Sequence, residues 1–207
     1  MSHMRLSDLL NAESMQVMQR GFSRVTGMAA AIIDENGVLL SRSDRRARFC
    51  FELTRSCAEG EKRCNECDRA GAKRAMRSGK PEVYTCHAGV CDIAAPIIVD
   101  GRFMGAFVGG QVIVEEPDEK QIRAIATELG LDPDDYMEAL HELPVRTAQE
   151  VADAAGYMGA MAEMLGVMAA NQYEILKKNR EMENMAKTKT EFLSTVNLNL
   201  YKPLQEM

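Results

Sequence analysis

All six cysteines of this 207-residue chain fall between Cys50 and Cys91, at Cys50, Cys57, Cys64, Cys67, Cys86 and Cys91. Any fold must therefore gather a thiol-rich region from one short part of the sequence. No apolar run approaches bilayer length and the N-terminus has no signal-peptide core, which predicts a cytoplasmic chain without a membrane span. In a reducing compartment such a cluster points to metal or redox chemistry rather than to disulfides. Cys64 and Cys67 form a Cys-x-x-Cys pair. A tetrahedral zinc needs four soft or borderline ligands, usually as two close pairs. Cys50 and Cys86 supply the second pair, with His87 and Cys91 as substitutes for either member. Three readings stay open: a structural zinc, an iron–sulfur cluster on the same thiolates, and core or redox thiols without metal.

Charge narrows the partners. A net charge of −6 and a pI near 5.2 leave no basic footprint for nucleic acid. The basic segment 42–48 reads as a solvated connecting loop. Residues 1–4 (Met-Ser-His-Met) resemble an expression scar, which sets His3 aside. No Ser/His/Asp set, phosphate-binding loop or pair of catalytic carboxylates is present, so the chain is not expected to be an enzyme.

Apolar spacing predicts a helix over 6–26, ended near Gly27, then strands at 29–33 and 38–41 joined across Asn36-Gly37, a strong hairpin signal. A short helix over 49–56 and a longer one over 61–77 follow, then strands at 83–86, 93–99 and 103–114, the last two joined at Asp100-Gly101. Helices over 118–129 and 133–140 close this part. The expected class is α+β, an antiparallel sheet with one face covered by helices, as in PAS- and GAF-like sensor domains.

From Thr147-Ala-Gln-Glu150, a capping box, a three-four apolar spacing runs over residues 151–200. Up to about 168 it fits a helix packed on its own domain. Beyond about 170 too little chain remains to cover it, and the expectation is a homodimer through this C-terminal helix. The expected division is a sensory domain over 5–146 and a signalling helix over 147–207.

The residues also carry a resemblance. Phe49-Cys50, Arg63-Cys64 with Asp68, Cys86-His87-Ala88-Gly89 with Asp92, Pro96-Ile97, Gly101, Gly105 and Gly110-Gln111-Val112 resemble the PocR sensory domain. The resemblance implies a PAS-like cytoplasmic module of bacterial regulators and histidine kinases that senses a small organic molecule such as a diol. It would pass the signal through the C-terminal helix to an output domain or downstream regulator. His87, Asp92 and Gln111 are the candidate ligand-binding residues, in a pocket between the sheet and the Cys-bearing helices; a zinc- or iron–sulfur-based sensor is the alternative. Residues 192–204 are similar to the histidine-kinase segment that carries the phospho-accepting histidine. Leu198-Asn199 stands where that pattern has His-Glu, so this segment cannot accept a phosphoryl group.

Overall fold

A computed structural model describes residues 4–205, with side chains described up to residue 195. Two compact units divide the chain, Met1–Ala169 and Ala170–Met207. The first opens with helices α1 (Leu6–Leu9) and α2 (Ala12–Thr26) and strands β1 (Ala29–Asp34) and β2 (Leu39–Ser41). A π-helical turn (Phe49–Leu53) runs into a 3-10 turn (Thr54–Ser56) and then helix α3 (Ala58–Ser78). Strands β3 (Glu82–Thr85), β4 (Cys91–Val99) and β5 (Arg102–Val112) follow, then helices α4 (Glu119–Glu128) and α5 (Pro133–His141). Helix α6 (Ala148–Gln205) begins in the first unit and continues into the second.

The strands form one antiparallel sheet in the order β2-β1-β5-β4-β3. Both expected hairpins are present. Asp34 closes the first by accepting the N–H groups of Asn36 and Val38 at 2.9 and 2.7 Å. Asp100 and Gly101 both hold positive φ in the second, the backbone a type I′ turn requires. The expected single helix over 6–26 is two: Leu10 is extended, and Asn11 caps α2 by accepting the Ser14 N–H at 2.7 Å.

Helices cover both faces of the sheet, which corrects the expectation of one covered face. Phe107 on β5 meets Phe22 of α2, with ring centroids 5.6 Å apart. Its neighbour Ala106 packs with Ala72 of α3. Adjacent side chains on a strand point to opposite faces, so α2 and α3 lie on opposite sides. Ile93, Ala94, Ala95, Pro96 and Ile97 of β4 are buried without a break, the pattern of a strand enclosed on both faces.

The expected capping box starts α6. The Thr147 N–H donates to Glu150 Oε2 at 2.7 Å, and the Glu150 N–H donates to Thr147 Oγ1 at 3.2 Å. Val151, Ala154, Ala155, Met158, Met161, Ala162, Leu165 and Ala169 are then buried in the first unit. Met168, a position of the expected seam, is 39% exposed while Ala169 is fully covered. A straight helix turns away from a strict heptad by about 20° per repeat, which moves the packed face to the neighbouring residue. In the second unit Ile175, Met182, Met185, Phe192 and Leu193 are exposed. The kinase-like stretch 192–204 falls mostly on side chains outside the described range, as does His3. Among the described residues no helix is long and apolar enough to cross a membrane.

Two glycines of α6 test its seating. A Cβ at Gly166 would overlap the carbonyl oxygen of Ile98 on β4, whereas one at Gly156 meets nothing within 4 Å. Gly166→Ala is therefore expected to destabilise the domain by about 1–3 kcal/mol through overpacking. Gly156→Ala is expected to gain up to about 1 kcal/mol of helix propensity. Urea denaturation of both variants checks the pair, and equal effects would contradict this packing.

Candidate ligand cavity

The site is built where α3 and the π-helical turn stand off the sheet. Cys57 caps α3, its sulfur accepting the Gly60 N–H at 3.4 Å. The helix seats its small residues Gly71, Ala72 and Ala75 inward. A Cβ at Gly71 would overlap the ring of Tyr84, so glycine there lets that ring lie against the helix. One turn earlier, Cys64, Cys67 and Asp68 face the space between helix and sheet.

The π-helical turn is held from behind by α4 and α5. Phe49 stacks on Tyr136 with centroids 4.3 Å apart. Thr54 Oγ1 donates to the Phe49 carbonyl at 2.6 Å and accepts from Tyr136 Oη at 2.8 Å. Phe49 and Tyr136 share a core with Ile122, Ile125, Leu140 and Leu143. Arg48 pairs with both Asp135 and Glu142, tying the preceding loop to the same end of the domain. Single π turns recur at functional sites, and this one carries Cys50 to the edge of the open space.

What remains is a cavity of about 420 Å³, within the usual range for small-molecule sites. Its sheet wall is apolar, with Ala29, Ala31 and Val108. Phe49, Phe51 and Tyr84 add aromatic surface. The polar groups are few and grouped. Arg55 donates to Asn65 Oδ1 and Asp68 Oδ2, each at 2.8 Å, and Tyr84 Oη donates to Asp68 Oδ1 at 3.4 Å. Exposed Arg42 and Arg46 line the mouth, so part of the segment read as a solvated loop borders the site.

Asp92 and Gln111 meet through a β-bulge. Cys91 pairs with Val112 and Asp92 with Gly110, which leaves Gln111 as the extra residue on β5. Gly110 and Gln111 both hold positive φ, at 131° and 57°. The left-handed region is costly for glutamine, and bulges of this kind re-aim groups next to functional sites. Here the Gln111 N–H donates to Asp92 Oδ1 at 3.0 Å. The Gln111 side-chain oxygen is buried with no hydrogen-bond partner among the described residues. Burial, and then the charge of Asp68, push the Asp92 carboxyl up to about 7, against the Gln111 N–H and Arg55, which favour its ionised form.

Of the residues singled out in the sequence, Asp92, Gln111, Cys50, Cys64, Cys67 and Cys86 all line this cavity. His87 is not among the lining residues; its Nε2 is 3.3 Å from Cys64 Sγ and its Nδ1 is buried without a partner among the described residues. Burial, helped by Arg63 and Arg55, pushes this imidazole down, so it is neutral at pH 7. Burial raises the Cys64 thiol to about 11 and holds those of Cys50 and Cys86 well up. The thiols of Cys50, Cys64 and Cys86 are thus protonated at neutral pH, and the chemistry they offer is that of a weakly polar wall. Among the described residues no three His, Cys, Asp or Glu side chains are arranged to hold a metal ion. The four thiols expected as zinc ligands line this one cavity. Arg55 and its fork to Asn65 and Asp68 were not singled out from the sequence, where an arginine thirteen residues before an aspartate resembles any surface pair.

Residues 8–170 match the family model described as the sensory domain found in PocR. The regulatory protein PocR of Salmonella typhimurium is 32% identical to this chain over 103 residues, covering 50% of this chain and 34% of that protein. The match therefore spans about a third of that relative's length. The crystal structure of the GAF domain of the cyanobacteriochrome TePixJ aligns with 69% of this chain and 99% of its own, at 18% identity and a TM-score of 0.33.

The state of Asp92 has a measurable consequence. The folded chain keeps its proton to about pH 7, while the ordinary value is 3.8. Between these values the folded state holds a proton that the unfolded state has lost, so stability falls as pH rises from about 4 to about 7 and then levels. Asp92→Asn is expected to remove this descent. The stability of the variant relative to the parent should rise by a few kcal/mol, in order of magnitude, between pH 4 and 8. Urea titrations at a series of pH values check it; a pH-independent difference would mean an ordinary, ionised carboxylate.

Proposed function

The chain belongs to the family of sensory domains found in PocR, and from that premise we propose that it is a ligand-sensing module whose cavity takes a small organic molecule. The observation that carries the reading is the cavity itself. It combines an apolar sheet wall, three aromatic rings and a small set of convergent polar groups, the general composition of small-molecule sites. The raised thiols of Cys50, Cys64 and Cys86 and the neutral imidazole of His87 are not activated nucleophiles, which favours binding over catalysis.

In this reading occupancy is passed on through α6. Its segment up to Ala169 packs in the same compact unit as the cavity, and the helix continues beyond it. A ligand alters the helix only if it binds one arrangement better than another. The part after Ala170 pairs with that of a second copy. Supporting this are the exposed Ile175, Met182 and Met185, which leave apolar surface along a helix that its own unit does not cover. The rest of the regulator would receive the signal from there.

Two experiments test the reading. Ala31 lines the cavity from the sheet, and Ala31→Phe fills it. A thermal-shift screen of small polar organic compounds should find binders for the parent chain that this variant, folded by circular dichroism, no longer binds. Binding that survives in the filled variant would place the ligand elsewhere. For the dimer, sedimentation of the parent chain should give two copies, and Ile175→Glu with Met182→Glu should give one; a parent monomer at high micromolar concentration would refute pairing.

A further inference from the structure

We propose that the inner end of the cavity is a site for the ammonium group of a small organic amine, with Asp92 as its counter-ion. The inference rests on the ligand-sensing reading and gives the chemical class of the ligand. It comes from the charge pattern of the cavity wall. Six charged side chains line it: Arg42, Arg46 and Glu61 are exposed at the mouth, whereas Arg55, Asp68 and Asp92 lie inside. Inside, the one guanidinium is committed to Asp68 and Asn65. Asp92 accepts the Gln111 N–H on one oxygen and, among the described residues, forms no salt bridge with either. The inner end thus holds one carboxyl more than it holds bases.

Its surroundings suit an alkylammonium. The groups facing Asp92 are Asp68 and Cys64 on α3, Arg55 on the 3-10 turn, Cys50 on the π-helical turn, and Tyr84 and Cys86 at β3. None of these except Arg55 is a cation, and Arg55 is already paired. Gln111, whose backbone N–H reaches Asp92, lines the same cavity, and its side-chain oxygen has no hydrogen-bond donor among the described residues. Phe49 adds ring surface, which attracts organic cations, whereas the rings of Phe51 and Tyr84 already lie under the guanidiniums of Arg46, Arg55 and Arg74. Calcium or magnesium would require six or more oxygens, which this wall of thiols and rings does not supply. A buried carboxyl without a cation is costly, and an ammonium from the ligand is what removes that cost. The strained bulge gives the arrangement a purpose: it directs one N–H at Asp92 Oδ1 and leaves the other oxygen for the ligand.

The test uses matched pairs that differ by one group, measured by calorimetry on the full chain at pH 8. The probes are 2-aminoethanol against 1,2-ethanediol, and 1-amino-2-propanol against 1,2-propanediol. The amine of each pair is expected to bind at least about tenfold more tightly, the difference between a charge-assisted and a neutral hydrogen bond. Asp92→Asn should bring the pair to parity, and Ala31→Phe should abolish binding of both. If the diols bind as well as the amines and Ala31→Phe removes that binding, the ammonium site is overturned while the sensory cavity stands. If neither member of any pair distinguishes the parent from Ala31→Phe, the ammonium site and the cavity as a site for small polar molecules both fall.

Discussion

A single half-buried carboxyl, Asp92, with no ion pair among the described residues, sets the character of this domain. Asp92 stands on β4, a strand buried on both faces, and is held there by one N–H that a β-bulge turns toward it. Most buried carboxylates are paired at once with an arginine or lysine. In this chain the nearby guanidinium is spent on Asp68 instead, through a fork that also fixes Asn65. The result is a carboxyl without an ion pair beside polar groups that are already paired with one another. The same elements build the wall around it: the small residues of α3 that let the helix lie close, the π-helical turn braced by Tyr136, and the α4–α5 pair that packs on that turn.

Much of the fold was legible in the sequence because its signals are local. Both hairpins announced themselves through Asn-Gly and Asp-Gly, and the capping box at Thr147 marked the start of α6. The pairing of helices to opposite sheet faces was not legible from the same residues. It follows from the unbroken apolar run of β4 and the small residues of β1, a two-faced pattern that short strands share with buried helices. The break at Leu10–Asn11 was hidden because residues on either side keep a helical spacing. The exposed Met168 shows a further limit: a heptad read from letters does not say where a straight helix leaves its own domain.

The site divided in the same way. The cysteine spacing singled out one region, yet spacing says which thiols are near in the chain and not how they are arranged in space. Cys50, Cys64, Cys67 and Cys86 ring one cavity, while Cys57 caps a helix and Cys91 is buried in a strand. Asp92 and Gln111 were candidates from the resemblance alone. Their partnership depends on the bulge, whose one sequence signal is glycine in a strand interior at Gly109-Gly110. The contribution of Arg55 had no such signal, since it depends on where the chain turns before α3.

The most direct measurement is the titration of Asp92 itself, followed by carbon NMR of a chain labelled at aspartate side-chain carboxyls. The account predicts a free-protein midpoint near 7, far from the other aspartates, and a fall toward ordinary values when the cavity is occupied by an amine. A midpoint near 4 in the free protein would mean a solvated or already compensated carboxylate. In that case the buried, uncompensated group on which the account depends does not exist.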